Sequence, residues 1–355
     1  MANIYDIARE SGVSASTVSL VLSGRGTEMR ISKATQEKIQ RIASEMGYIP
    51  NSTARKLRDR NAKQFPEIAL LWSPVQHAAF LNTFVSVLNH LYNEGKIRNI
   101  QLTVHPFTPG MLKQQWKLLQ TQYFNGLICP PADSEDIAFI NRLKLTIPTI
   151  LLHGTTEKYN LVSVSNHSTG VQAARIFHAH GHKNVGIFSF LYRSHFYTAL
   201  ERCQAFCKEA ERLGMQVTVL KANRMIDRMD EYTYQKQVSS ITEESIRKML
   251  PEIRNISALF LPNDTLALRA VSILREEGFR IPDDLEILAY GNSEALMYSS
   301  PTISTIGYPT EALSETSLLL MDELLDNPLL PPRTIDIPTS AIFRESCPKG
   351  NYTGE

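Results

Sequence analysis

Four hydroxyl side chains fall within six residues near the amino end of the chain, Ser14, Ser16, Thr17 and Ser19, with Ala15 and Val18 between them and Leu20 after them. Small hydroxyl and methyl groups let a helix lie deep in a DNA major groove and touch base edges, so this stretch carries the chemistry of a base reader. The other reactive residue types do not assemble into a centre. Cys129, Cys203, Cys207 and Cys347 lack the paired spacing of a zinc ribbon, and Cys203 and Cys207, one helical turn apart, read as small buried side chains. His178, His180 and His182 run across a helix end and through Gly181, so their rings are expected not to converge. With no Gly-x-Gly-x-x-Gly loop and no nucleophile elbow in the chain, we expect no catalytic residue, no metal site and no cofactor.

The elements that would hold the reader in place are short helices. Asn3 can cap a first one, Ile4, Ile7 and Ala8 form its apolar face, and Asp6 meets the positive end of its dipole. Gly12 supplies a tight exit, and Ser14 caps a second helix with Thr17 three residues on. Val18, Val21 and Leu22 then share the inner face, while Ala15, Ser16, Ser19 and Leu20 turn partly outward. Ser32 caps a third helix with Ile39, Ile42, Ala43 and Met46 at helical spacing and Gly47 at its end. The arrangement is that of a helix-turn-helix. A helical hairpin that binds protein would share the pattern, but charge favours nucleic acid. Residues 1–63 hold 11 Lys and Arg against 6 Asp and Glu, whereas the remainder holds 26 against 30. After Pro50, Asn51 can cap one more helix of about two turns, too short to stand alone in water and so expected to fold only against a partner.

In Tyr5-Asp6-Ile7-Ala8, Gly12-Val13-Ser14, Thr17-Val18-Ser19, Tyr48-Ile49-Pro50-Asn51 and Ala54-Arg55 with Leu57, the sequence resembles the LacI/GalR family of bacterial transcription regulators. The resemblance covers essentially the full length, with echoes at Gly181-His182, Asn263-Asp264, Ile281-Pro282 and Pro301-Thr302. It implies that Tyr5, Ser14, Ala15, Ser16, Thr17, Ser19 and Leu20 face the major groove of a double-stranded operator. It also implies that a hinge with Asn51, Ala54, Arg55 and Leu57 enters the minor groove, where an apolar wedge bends the duplex. Leu20 departs from the arginine often found there and cannot donate to guanine, so the preferred half-site should differ. The loop between Ser23 and Ile31 is longer than the family's usual connection; Arg25 and Arg30 in it could reach phosphates, although a solvated loop is the readier account of them.

At 355 residues, 43% hydrophobic and 21% charged, the chain has the composition of a soluble protein with room for two or three cores. No apolar run approaches the ~18 to 20 residues of a membrane span, and the amino end lacks a signal-peptide pattern, so a cytoplasmic protein without a membrane partner is expected. From Phe65 onward, apolar runs such as Ile68 to Trp72 alternate with helical patterns such as Ala78 to Asn93, where Leu81, Phe84, Val85, Leu88 and Leu91 share a side. A second set of the same kind follows Val164. The expected fold class is α/β: a helix-turn-helix domain over 1–48, a hinge helix and linker over 49–64, and a two-lobed core over 65–345 resembling periplasmic binding proteins. In that core parallel sheets are flanked by helices, and a tail follows over 346–355. The polar stretch Lys221 to Ile241 shows no clear period and reads as a surface insertion, with a helix expected over Glu243 to Met249.

Ligands of such folds sit at the carboxyl ends of the strands between the lobes. By position, the resemblance assigns effector contacts to His153, Arg202 and Asn263. An arginine fork suits paired hydroxyls, a carboxylate or a phosphate, while Asn263 would meet ligand and Asp264 would cap the helix that follows, a role that needs no ligand. Ala289-Tyr290-Gly291-Asn292 stands where the family commonly has Gly-Tyr-Asp-Asp, so a carboxylate that often grips sugar hydroxyls is replaced by Gly291. The reading is a homodimeric DNA-binding regulator, a repressor, under a small-molecule effector such as a sugar or sugar derivative. The absence of leucine heptads after Ser346 favours a dimer over a zipper-joined tetramer. A solute-binding module or an enzyme on the same core is the alternative.

Overall fold

The computed structural model describes residues 4–22, 26, 29–46, 65–73, 79–119, 124–131, 134–192, 197–226 and 231–353. The chain divides into two compact units, Met1–Phe65 and Pro66–Glu355.

In the first unit, α1 (Ile4–Ser11), α2 (Ala15–Leu22) and α3 (Lys33–Glu45) close around Ile7, Val18, Val21, Ile39, Ile42 and Ala43. The exit from α1 and the starts of α2 and α3 each have a chemical cause. Gly12 adopts φ +71, which lets the chain leave α1 sharply. Ser14 Oγ accepts from the Thr17 amide at 3.1 Å, and Ser32 Oγ accepts from the Thr35 amide at 3.2 Å. Met46, expected on the apolar face of α3, is 37% exposed because the helix has already ended at Glu45. Asn3, Gly47 and the hinge residues Asn51, Ala54, Arg55 and Leu57 lie outside the described residues.

The second unit is built on two six-stranded sheets. One holds β1 (Glu67–Trp72), β2 (Gln101–Pro106), β3 (Gly126–Cys129), β4 (Thr149–Leu151), β5 (Asn160–Val164) and β11 (Thr334–Ile337), in the order β11-β5-β4-β3-β1-β2. The other holds β6 (Asn184–Tyr192), β7 (Gln216–Ile226), β8 (Ala258–Leu261), β9 (Glu286–Gly291), β10 (Ser304–Gly307) and β12 (Ser340–Ile342), in the order β12-β10-β9-β8-β6-β7. Neighbours are parallel except for β12, which runs antiparallel to β10. The flanking helices are α4 (Ala79–Asn93), α5 (Leu112–Leu119), α6 (Ser134–Arg142), α7 (Asn166–Ala179), α8 (Tyr197–Arg212), α9 (Glu231–Lys248), α10 (Leu250–Ile253), α11 (Asp264–Glu276) and α12 (Thr310–Asp326).

The continuous apolar strands are explained by burial on both faces. Ile68 and Leu70 point into one core cluster, Ala69 and Leu71 into another across the sheet. The chain passes between lobes at β5 to α7, at β10 to α12 and at β11 to β12. On α4 the buried face is Phe80, Phe84, Val87 and Leu91, and Val85 is 40% exposed, so the stripe is rotated from the one expected.

The described residues of the stretch expected as a surface insertion, 221–226 and 231–241, are regular structure. β7 continues to Ile226, and α9 begins at Glu231, twelve residues earlier than the helix read from the sequence at Glu243. Val238 and Ile241 are buried in the second lobe's core. Polar residues dominate α9, and its few apolar positions hide the helical period. Residues 346–353, expected as a tail, place Ser346, Cys347 and Tyr352 in buried positions on the second lobe.

Candidate DNA-reading helix and inter-lobe site

The cap and core of α2 determine which side chains it presents. Val18 and Val21 are buried, so the opposite surface carries Ser14 and Ser16, both exposed, with Ala15, Thr17, Ser19 and Leu20 half-buried around them. Ser14 and Thr17 hydroxyls lie 2.8 Å apart, so the leading edge of the helix is pre-ordered. Tyr5 is 77% exposed on α1. The face is hydroxyl, methyl and phenol, with Leu20 as the apolar element. It can exchange hydrogen bonds with base edges and pack against thymine methyls.

The inter-lobe residues meet at the carboxyl ends of β4, β8, β9 and β10. Arg202, on α8, is 6% exposed. Its Nη1 donates to Asn166 Oδ1 at 2.5 Å and its Nη2 to the Pro262 carbonyl at 3.3 Å. Its guanidinium carbon stands 3.7 Å above the centre of the Tyr290 ring. Its Nε is buried without a hydrogen-bond partner. His153, just past β4, meets the Tyr308 hydroxyl through Nε2 at 2.9 Å. Tyr308 and Tyr290 stack edge to face with centroids 6.2 Å apart. Burial pushes both phenols up, so both stay protonated and remain able to donate.

Arg202 reaches this position because α7 and α8 approach closely. A Cβ at Gly170 would stand 2.3 Å from the Arg202 carbonyl oxygen, so only glycine permits the contact. The cap expected of Asp264 falls to Asn263, whose Oδ1 accepts from the Leu266 amide at 3.1 Å at the start of α11. The carboxylate of Asp264 turns the other way. It accepts from the Asn292 amide at 3.0 Å and the Ser293 amide at 2.7 Å, tying down the loop after β9. Gly291 has φ +142, and a Cβ there would be 2.3 Å from both Asp264 carboxylate oxygens. In this chain, then, the space a side chain at Gly291 would need is filled by the Asp264 carboxylate.

Arg202 and His153 therefore fall in one neighbourhood, linked through Tyr290 and Tyr308, while the Asn263 side chain is engaged in its cap. Sequence reasoning did not assign Asn166, Tyr290 or Tyr308. The one available signal was that Tyr290 and Tyr308 sit at the ends of successive apolar runs, as His153 does.

Residues 3–51 match the model of the bacterial regulatory proteins, lacI family, and residues 174–347 match a periplasmic binding protein-like domain. Among curated relatives, the ribose operon repressor of Haemophilus influenzae is 27% identical over 348 residues, covering 98% of each chain. The HTH-type transcriptional repressor PurR of Photobacterium profundum is 25% identical over 351 residues, again 98% of each chain. The fold agrees with the lac repressor dimer bound to operator and the anti-inducer ONPF, at TM-score 0.65 and 21% identity over 98% of this chain and 99% of that one. It agrees also with a LacI family regulator from Clostridium acetobutylicum, at TM-score 0.66 and 23% identity over 79% of this chain and 99% of that one. With a hydroxyl-faced α2 near its amino end and a two-lobed core following it in sequence, the chain belongs to the LacI family of bacterial regulatory proteins.

Proposed function

We propose that the protein is a transcriptional repressor, not an enzyme, that acts in the cytoplasm and binds a near-palindromic operator as a homodimer. Its grip is governed by a small-molecule effector between the lobes. The observation that carries the DNA half is the capped α2, whose buried Val18 and Val21 force Ser14 and Ser16 outward. One such helix reads too few base pairs for adequate specificity, and a two-fold dimer doubles the contacts. In this reading residues 49–64 act as the hinge, with Asn51, Ala54, Arg55 and Leu57 on the minor groove. Tyr5, Ala15, Thr17, Ser19 and Leu20 complete the major-groove and phosphate contacts.

The effector half rests on Arg202 and His153. A guanidinium buried against a ring face and two oxygens, with Asp264 turned away to the loop amides, makes the neighbourhood rich in donors. It favours a sugar derivative that brings acceptor oxygens, a phosphate or a carboxylate, over a plain sugar held by a carboxylate. Effector and operator then compete or cooperate through the same conformational equilibrium, with reciprocal effects on each other's affinity.

The test is selection of bound DNA from a random library by the full-length protein at controlled salt, with and without a panel of sugars, sugar phosphates and nucleobases. A palindromic site whose occupancy changes with one compound is the expected result. Failure to enrich any site would overturn the regulator reading, and a site indifferent to every compound would overturn the effector reading alone.

A further inference from the structure

At the amino ends of β6, β8 and β9, the edge of the second sheet opposite Arg202, four side chains meet around one carboxylate oxygen. His180 Nδ1 lies 2.7 Å from Glu286 Oε2, and His182 Nε2 lies 3.1 Å from the same atom. Cys347 Sγ is 3.3 Å from that oxygen and 3.9 Å from His180 Nδ1. The expectation that the histidines do not converge is corrected for two of them. Gly181, at φ +82, folds the chain back so that His180 and His182 face one point.

The outer hydrogen bonds decide what the inner nitrogens offer. His180 Nε2 is 3.1 Å from the Lys349 carbonyl, which can only accept, so that nitrogen carries the proton. Ser257 Oγ donates to the Asn184 carbonyl at 3.3 Å and has no second proton, so it accepts from His182 Nδ1 at 2.8 Å. In their neutral forms both rings therefore aim a lone pair at the same anionic oxygen. His182 Nε2 is buried beside that oxygen. Lone pairs that converge on a carboxylate repel it unless a proton or a metal ion lies between them, and a metal ion can serve both rings and the thiolate at once.

We propose that His180, Glu286 and Cys347, whose ligand atoms all lie within 4.8 Å of one another, form a site for a zinc-class divalent ion, with His182 beside Glu286, that clamps the carboxyl-terminal segment to the second lobe. Imidazole, carboxylate and thiolate together suit a borderline-soft ion. Tetrahedral zinc with bonds of ~2.0 to 2.3 Å needs ligand atoms roughly 3.3 to 3.8 Å apart. Cys347 Sγ already stands 3.3 Å from Glu286 Oε2 and 3.9 Å from His180 Nδ1, and the 2.7 Å between His180 and Glu286 opens as the ion enters. The Lys349 carbonyl and Ser257 hydroxyl fix the ring orientations, as outer partners of metal-binding histidines do. Binding exchanges the Cys347 thiol proton, released to solvent, for a sulfur–metal bond. The ion enters when the segment holding Lys349 and Gly350, which covers His180, lifts.

The experiment uses untagged full-length protein stripped with a chelator and titrated with Co²⁺ and then Zn²⁺. A thiolate-to-cobalt charge-transfer band saturating at one ion per chain and displaced by Zn²⁺ is expected. A rise of about 5 °C in Tm is expected at a hundredfold excess of Zn²⁺ over Kd. Cys347→Ser removes the band, His180→Gln weakens Zn²⁺ binding at least ~tenfold, and joint replacement of Cys203 and Cys207 by serine changes neither. X-ray absorption on the zinc-loaded unmutated protein serves if the Cys347 variant does not fold, and should show one sulfur among nitrogen and oxygen ligands. No band in folded protein, a band that survives Cys347→Ser, or a zinc shell without sulfur overturns the proposal and leaves the cluster as a histidine–glutamate ion pair.

Discussion

Arg202 illustrates how one side chain can be positioned by three unrelated neighbours. Asn166 fixes one nitrogen, the Pro262 carbonyl another, and the Tyr290 ring the plane of the fork. Lysine cannot reproduce that planar arrangement. Arg202→Lys is expected to weaken effector binding at least about tenfold, measured by calorimetry with the compound found in the operator selection, while operator affinity without effector stays the same. Gly291 is the second decisive residue. Gly291→Asp, which would restore the carboxylate common in the family, forces a Cβ at φ +142 against the Asp264 carboxylate. It is expected to destabilise the core by about 3 kcal/mol, read as a lower urea midpoint, rather than to create a sugar site. A rise in sugar affinity without loss of stability would contradict this reading.

At the scale of elements, α2 depends on its cap and α8 on its partner α7. Ser14→Ala leaves the Thr17 amide without its acceptor. We expect a loss of about 1 kcal/mol in unfolding of the amino-terminal module and a parallel loss of operator affinity, checked by thermal melts and fluorescence anisotropy. The α7–α8 pair is held where Gly170 lets backbones touch, and an ion-pair group reinforces it. Glu209 accepts from Arg212 Nε at 2.7 Å and from Arg175 Nε at 2.9 Å. Pairing with Arg212, helped by Arg175 and opposed by burial, lowers its carboxyl from 4.5 to about 2. A lowered folded pKa contributes stability that is complete above about pH 4.5 and lost as pH falls toward 2. Glu209→Gln should therefore be less stable than the parent protein at pH 6, with the gap closing as the pH falls through that window. Denaturant midpoints across the range check it, and a gap independent of pH would assign the loss to packing instead.

For the whole molecule, charge is separated along the chain. The amino-terminal 63 residues carry a net +5 and the rest a slight negative excess. If phosphate contacts lie in that segment, operator affinity should fall roughly a thousandfold between 50 and 200 mM salt, while effector affinity at the inter-lobe site changes far less. Parallel anisotropy and calorimetry at both salts measure this directly. The sequence by itself determined the parts governed by local rules. Gly12, Ser14 and Ser32 announce the helix boundaries, Ile39, Ile42 and Ala43 the buried stripe, and runs such as Ile68 to Leu71 the buried strands. It found only the last turns of α9, from Glu243, and gave the first turns as a surface insertion, because sparse apolar positions blur the period there. The tertiary structure alone decided which distant residues meet. His153 finds Tyr308, Asn166 finds Arg202, Asp264 occupies the space beside Gly291, and Glu286 gathers His180, His182 and Cys347. Periodicity records which face of an element is buried, but not which element covers it. That pairing follows from the close packing of helices on sheets, where a missing Cβ at Gly170 or a left-handed turn at Gly181 shifts side chains by several ångströms.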